Sequence, residues 1–122
     1  MKYLLLVHHN EDSFAKLSQT TQQAMLDESI ALTHTLDADR QYLSASPLHT
    51  AATATLVRVR EGKSFITDGP FIETHEQLAG YFLVDATDIQ EAVRIATHIP
   101  GARIGTVEVR PATEISGLPT RM

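Results

Sequence analysis

An acidic residue followed directly by a Gly-Pro pair, Asp68 in the stretch 67–71, is the part of this sequence best suited to chemistry. Asp68 ends a strand-like run, so its carboxylate would project beyond the strand as a general base. An Asp at the start of a turn also accepts hydrogen bonds from the amides that follow, which is a purely structural role. The sequence leaves both roles open, and Asp68 is our first candidate for a catalytic group.

Two further acids lie in the polar loop that follows, at Glu73 and Glu76. If the loop folds back over Asp68, two carboxylates held apart there could act as acid and base or hold a divalent cation. Acids in exposed loops more often pair with a neighbouring Arg at little energetic gain. We predict a substrate contact for Glu73 and expect a surface role for Glu76.

Three histidines are candidates for proton transfer, because histidine titrates near neutral pH. His8 and His9 end the first strand on opposite faces, so only one of them can enter a given site. A buried neutral histidine bonded to backbone is the structural alternative. His49 lies in a loop just after Pro47 and is a candidate proton carrier to Asp68. The predicted catalytic set is Asp68, His49 and His8, with the choice between His8 and His9 open.

Substrate contacts are predicted for a basic and two aromatic residues. Arg58 and Arg60 share one face of their strand, where a guanidinium could clamp an anionic carboxylate. The same pair would equally suit the solvent face of an edge hairpin. Phe71 and Tyr81 would supply the apolar wall of a small-molecule pocket, or simply pack in the core. The predicted substrate-binding set is Glu73, Phe71, Tyr81 and Arg58.

The composition excludes several classes of function. The chain has no cysteine, so disulfides and thiolate chemistry are excluded, and its six histidines show no His-x-x-x-His spacing. We therefore predict no dedicated metal site and no cofactor. A net charge of −5 argues against direct nucleic-acid binding. No apolar run suits a signal peptide or a membrane span, so we expect a soluble, cytoplasmic protein.

The order of the predicted elements indicates the fold. At 122 residues with 43% hydrophobic residues, the chain fits one domain, predicted over 1–111 with a loose tail at 112–122. Capping boxes at Thr20 and Thr87 predict two helices, over 20–39 and from 87 to 99. Strands are predicted over 2–9, 42–46, 53–60, 64–67, 79–86 and 104–109. This order predicts an α+β, ferredoxin-like fold, βαββαβ with an extra hairpin strand.

One layer of helices covers only one face of such a sheet. The strands alternate apolar residues onto the other face as well, which would leave that face sticky in a single chain. A homodimer that buries sheet against sheet is therefore expected.

Motifs spread along the whole sequence resemble the YCII-related family, in particular the branch marked by Asp-Gly-Pro-Phe at 68–71. The other matching stretches are 1–6, 52–55, 57–60, 76–78, 80–81, 100–102 and 105–111. The resemblance implies a ferredoxin-like subunit that pairs into a dimeric α/β barrel. It also implies either an enzyme built on a His and Asp pair or, because this branch is often encoded beside sigma-factor genes, a regulatory partner. One relative in the wider family is associated with dehydrochlorination of an aromatic breakdown product.

The chain departs from that family in three places. The wider family takes the histidine of its pair from the first long helix, where this chain has only His34 at a poorly aligned position. His75 stands where the branch usually has Lys, and Ala79 where it often has Gly. The inherited His and Asp pair therefore does not transfer directly.

Three hypotheses follow from these patterns. In the first, the protein is a small homodimeric, cofactor-independent enzyme of lyase, isomerase or hydrolase type, or a binding protein, acting on a small anionic or cyclic metabolite through Asp68. The alternative is a non-catalytic regulatory or interaction module linked to sigma-factor-dependent transcription. In the third, the turn at 68–71 is purely architectural.

Overall fold

A computed structural model describes residues 1–119, which form an α+β fold with two antiparallel sheets and three helices. The strands are β1 (Lys2–His9), β2 (Tyr42–Pro47), β3 (Thr55–Arg60), β4 (Lys63–Asp68), β5 (Gln77–Asp85) and β6 (Thr106–Pro111). The helices are α1 (Glu11–Ala15), α2 (Gln19–Ala38) and α3 (Ile89–Thr97), and short 3-10 turns cover Ala51–Thr53 and Pro100–Arg103.

The main sheet has four strands in the order β2-β5-β1-β6, and every neighbouring pair is antiparallel. β1 and β2 are consequently parallel, joined through α2, with β5 inserted between them. β5 and β6 are likewise parallel, joined through α3, with β1 between them. This split βαβ order is consistent with the predicted ferredoxin-like arrangement.

The two remaining strands, β3 and β4, form a separate hairpin sheet and do not join the main one. Arg60 pairs with Lys63, so the connecting loop consists of two residues, Glu61 and Gly62, both with positive φ. Two-residue hairpin loops favour this backbone because its twist matches that of the flanking strands. The turn was predicted from Glu61-Gly62-Lys63. The separation of the hairpin from the main sheet was not predicted.

Both long helices cover the same face of the main sheet. Along β1, Tyr3, Leu5 and Val7 are buried, whereas the alternating residues Leu4 and Leu6 are only partly so. The buried residues of β1 share one core with β5, α2 and α3, contributed by Phe82, Val84, Leu36, Ala92, Ile95, Ala96 and Ile99. Burying each large apolar side chain stabilises the fold by about 1.5–3 kcal/mol. The opposite face of the sheet has no helix and is called the open sheet face below.

The helices begin one or two residues away from the predicted capping boxes. Ser18 caps α2, because its hydroxyl accepts a hydrogen bond from the Thr21 amide at 3.1 Å. Asp88 caps α3, accepting from the Glu91 amide at 2.9 Å. The predicted boxes at Thr20 and Thr87 were wrong, since several Ser, Thr and Asp residues at the start of each helix suit a cap.

Helix α1 was not predicted, because no element was expected between the strand over 2–9 and the helix over 20–39. Asn10 caps this five-residue helix, accepting a hydrogen bond from the Ser13 amide at 2.8 Å. In the predicted tail, the Ala112 amide still donates to the Lys2 carbonyl at 2.9 Å. The remainder of the tail prediction includes residues 120–122, which lie outside the described residues, and the domain limits remain a prediction.

Candidate functional site

The neighbouring histidines at the end of β1 face two different cavities on opposite sides of the main sheet. His9 lines a cavity between α2 and the sheet, and His8 lines a cleft between the hairpin and the open sheet face. We call these the helix–sheet cavity and the hairpin cleft. The alternation of side chains along a strand requires this division.

The helix–sheet cavity has a volume of about 330 Å³, within the range of small-molecule sites. Its wall is mostly apolar and is contributed by α1 and α2, by β1, β2 and β5, and by the 3-10 turn after α3. The apolar residues are Val7, Phe14, Met25, Leu26, Ile30, Ala45, Pro47, Ala79, Phe82, Ile99 and Pro100. The polar residues are His9, Gln22, Ser29, Thr33, Tyr42, Ser46 and Tyr81, and glycines 80 and 101 complete the lining.

Several polar side chains around this cavity are already hydrogen-bonded within the protein. Gln22 Nε2 donates to the carbonyls of Phe14 at 3.2 Å and Leu17 at 3.0 Å. Ser29 donates to the Met25 carbonyl at 3.0 Å, and Thr33, Ser46 and Tyr81 also have partners. Within residues 1–119, no hydrogen bond reaches the ring nitrogens of His9 or the hydroxyl of Tyr42. These two groups are therefore the ones free to contact a ligand.

The ring of His9 stacks on that of Phe14, with centroids 4.5 Å apart and planes at 15°. Burial lowers the pKa of His9 below its ordinary value of 6.5, and the carboxylates of Glu11 and Glu76 oppose this shift only in part. The imidazole is therefore neutral at pH 7, with a lone pair able to accept a proton or a hydrogen bond.

Helix α1 fixes the position of Phe14 against His9. The Glu11 amide donates to Gln77 Oε1 at 2.9 Å, and Glu11 Oε1 accepts from the Ala51 amide at 2.8 Å. Asn10 Nδ2 donates to the His75 carbonyl at 2.7 Å. The short helix is thus fastened to both ends of the long connection that carries the hairpin.

The hairpin cleft, with a volume of about 550 Å³, brings together three of the predicted site residues: His8, His49 and Phe71. His8 Nε2 lies 3.1 Å from Glu108 Oε1 on the neighbouring strand β6, a contact that orients the ring. Glu108 was not singled out from the sequence. It pairs in register with Leu6, two residues before His8, so the antiparallel partnership of β1 and β6 creates the contact.

The other predicted residues are not gathered there. Asp68 is exposed at the end of β4, pairs in register with Thr55, and receives no side-chain hydrogen bond within residues 1–119. Glu73 is exposed and does not line the cleft. The guanidinium of Arg58 lies 5.6 Å from the centre of the Phe71 ring. This cation–π contact engages the group that was predicted to clamp a substrate carboxylate.

Tyr81 borders the helix–sheet cavity, but it pairs with Leu6 on the open sheet face, and its hydroxyl lies 3.0 Å from Ser44 Oγ. The sequence interpretation missed Phe14, Tyr42 and the α2 residues of this wall. A signal was present, because the apolar stripes of α2, which include Met25, Leu26 and Ile30, were wider than packing on a sheet requires. Leu26 and Ile30 are in fact 42% and 48% exposed.

Residues 1–119 contain neither a cluster of metal-ligating side chains nor a membrane-spanning helix. No group of three or more His, Cys, Asp or Glu side chains is close enough to hold a metal ion. No helix in the same range is long and apolar enough to cross a membrane.

The fold and its cavities define a small α+β protein with a ligand-sized space on each face of an antiparallel sheet. A family model described as YCII-related domain matches residues 1–116, so the chain belongs to the YCII-related family, as its motifs predicted. The chain is also similar to an uncharacterized protein of Rhizobium meliloti (strain 1021), with 33% identity over 120 residues and 91% of each chain covered. Assignment to the Asp-Gly-Pro-Phe branch remains a prediction.

Proposed function

We propose that this protein binds a small, mainly apolar cyclic molecule in the helix–sheet cavity and acts on it without a cofactor. The observation that carries the proposal is an apolar cavity of about 330 Å³ in which His9 and Tyr42 are free to contact a ligand. Of the two predicted metabolite classes, the cyclic one is favoured over the anionic one. No Lys or Arg lines the cavity within the described part of the chain, so an anion would be desolvated there without a counter-charge.

His9 supplies the acid–base group of this proposal. A neutral imidazole against an aromatic ring accepts a proton from a bound substrate, and its neighbours Glu11 and Glu76 stabilise the cation that forms. Tyr42 would orient the ligand by a hydrogen bond. Lyase or isomerase chemistry, which moves a proton and needs no cofactor, is compatible with this pair.

Asp68 remains a prediction as an acid–base group. Asp68 is exposed in a single chain, so His9 is the first residue to test. Glu73 is exposed as well, and its substrate contact also remains a prediction. The alternative of a regulatory module linked to sigma-factor-dependent transcription also remains a prediction.

We also propose that the protein forms the expected homodimer through its open sheet face. The open sheet face carries Leu4, Leu6 and Leu83, all partly exposed, together with the His8 and Glu108 pair. Burial of this face against a second copy would remove apolar surface from water, which is the main driving force for association. Closure of a dimeric barrel is the arrangement that the family resemblance implies.

The test is thermal unfolding of the protein with neutral and anionic ring compounds: indole, benzyl alcohol, a δ-lactone and benzoate. A ligand that binds only the folded state stabilises it by about 2.7 kcal/mol at 100 times its Kd. We expect a rise in Tm with a neutral ring compound and none with benzoate.

Two substitutions locate the binding. Ser29→Leu fills the cavity from α2 and should abolish the shift, whereas Ala24→Leu, at an exposed position of the same helix, should retain it. Tyr42→Phe removes only the hydroxyl and should weaken binding. Equal ligand shifts in Ser29→Leu and the parent protein would place the site elsewhere and contradict the proposal.

A further inference from the structure

The hairpin of β3 and β4 carries an apolar surface on one side. Val57 and Val59 alternate onto this side of β3, and Ile66, the cross-strand partner of Val57, extends it on β4. Val57 is 65% exposed, Val59 58% and Ile66 68%. We call these three residues the hairpin face. Arg58 and Phe65 lie on the other side of the ribbon, toward Phe71.

The hairpin is poorly supported by its own chain. Its strands pair only with each other in the described residues, and a two-stranded hairpin alone is marginally stable in water. At its base the Gly69 amide donates to the Ala54 carbonyl at 2.7 Å, a contact within the same connection. A ribbon with an exposed apolar side is stabilised by a covering surface.

The surface area indicates how large that cover is. A folded monomer of 13.4 kDa exposes about 6,500 Å². This chain exposes 8933 Å², roughly 2,400 Å² more than that expectation. A stable interface removes about 800 Å² from each partner, and larger areas are typical of obligate dimers. The excess is enough for an obligate interface that includes both the open sheet face and the hairpin.

Position favours a second copy of this chain as the cover. The hairpin leaves the sheet on its open face, because His8, which alternates with Leu4 and Leu6, lines the cleft beneath it. The hairpin and the open sheet face therefore lie on the same side of the main sheet, the side on which a second copy is expected to pack.

We propose that the hairpin is a dimerisation arm, whose face of Val57, Val59 and Ile66 packs on a second copy of this chain beside the open sheet face. The contact is reciprocal about a twofold axis. This inference rests on the proposed homodimer and is independent of ligand binding in the helix–sheet cavity.

The test is sedimentation velocity of the whole protein from 0.1 to 100 µM. We expect a dimer for the parent protein, and for Val57→Lys a dimer Kd raised by at least about 30-fold, the loss typical of a central interface residue. Val93→Lys is the matched control, since Val93 is an exposed valine on α3, on the opposite side of the sheet. It should dimerise like the parent.

A second variant distinguishes weakened dimerisation from a folding defect. Val57→Thr with Ile66→Thr keeps β-branched side chains in the ribbon but removes apolar surface, and it should also weaken dimerisation. Hydrogen exchange should show amides 55–68 more protected at 100 µM than at 0.1 µM. A monomer at every concentration, or hairpin variants with the Kd of the parent, would overturn the proposal. A ligand-induced rise in Tm that persists in Val57→Lys would show that ligand binding survives independently.

Discussion

His8 and His9 are neighbours in sequence but belong to different environments: His8 Nε2 contacts Glu108 at 3.1 Å, while His9 stacks on Phe14 at 4.5 Å. One ring lies on the open sheet face and the other at the edge of the helix–sheet cavity. A strand must separate consecutive side chains in this way, so the pair cannot act in one site of one chain. Substitution of one ring should therefore leave the contacts of the other unchanged.

Acidification should destabilise the protein through His9. Because burial lowers the pKa of His9 in the folded state, the unfolded chain binds more protons between that lowered value and 6.5. The free energy of unfolding should thus fall as the pH drops from 7 into this window, and the contribution should level off below the folded pKa. His9→Phe, which keeps an aromatic partner for Phe14, should flatten this dependence. Chemical denaturation of the parent protein and of His9→Phe at pH 7.5 and 5.5 measures this dependence. If the free energy of unfolding changed equally with pH in both proteins, His9 would not be its source.

Adjacent leucines on β1 should differ sharply in their contribution to stability. Leu5 is fully buried among the helices, so Leu5→Ala should lower the free energy of unfolding by about 2–5 kcal/mol. Leu6 is partly exposed on the open sheet face, and Leu6→Ala should cost less in the monomer while weakening the dimer. Urea unfolding at low and high protein concentration separates the two effects. If Leu5→Ala and Leu6→Ala lowered the free energy of unfolding equally at low concentration, both faces of the main sheet would be covered within one chain.

Local patterns were sufficient to predict the main elements of this fold. The apolar runs within residues 2–9 and 79–86 and the Glu61-Gly62 turn each act over a few residues, and the structure has strands and a hairpin there. The start of α3 was harder, because Thr87 and Asp88 both suit a cap. Asp88 is selected by the Glu91 side chain, which accepts from the Thr87 amide at 3.0 Å and from Gln41 at 2.9 Å. The contact with Gln41 joins residues 50 positions apart, so a local pattern cannot reveal it.

The candidate site was harder to predict than the fold, since it depends on which elements meet. His8, His49 and Phe71 were named from their types, and the hairpin cleft does collect them. Phe14 could not be recognised as the partner of His9, because its position depends on α1 being tied to Gln77 and Ala51. The cavity itself arises from incomplete contact between α2 and the sheet, a property of packing that no single stretch encodes.

Asp68 and Asp88 offer a matched test of what an aspartate contributes at the end of an element. Asp68 receives no side-chain hydrogen bond within residues 1–119, so Asp68→Ala should change the free energy of unfolding by no more than about 0.5 kcal/mol. Asp88 caps α3, and Asp88→Ala should cost about 1 kcal/mol. Guanidinium unfolding of both variants measures the difference. A loss for Asp68→Ala as large as that for Asp88→Ala would show that the Gly-Pro turn depends on the carboxylate, and would support its architectural role.

The floor of the helix–sheet cavity should be intolerant of a single added methyl group at Gly80. A Cβ at this position would lie 2.8 Å from the Ser46 carbonyl oxygen and 3.2 Å from Pro47 Cα, both backbone atoms that cannot move without shifting β2. Gly80→Ala should therefore destabilise the protein by about 1–3 kcal/mol and reduce the ligand-induced rise in Tm. Gly62→Asn is the control, because nothing lies within 4 Å of a Cβ there and Asn tolerates the left-handed backbone of the hairpin turn. If Gly80→Ala proved as stable as Gly62→Asn and bound ligand like the parent protein, β2 and β5 would not meet as closely at the cavity floor as the structure shows.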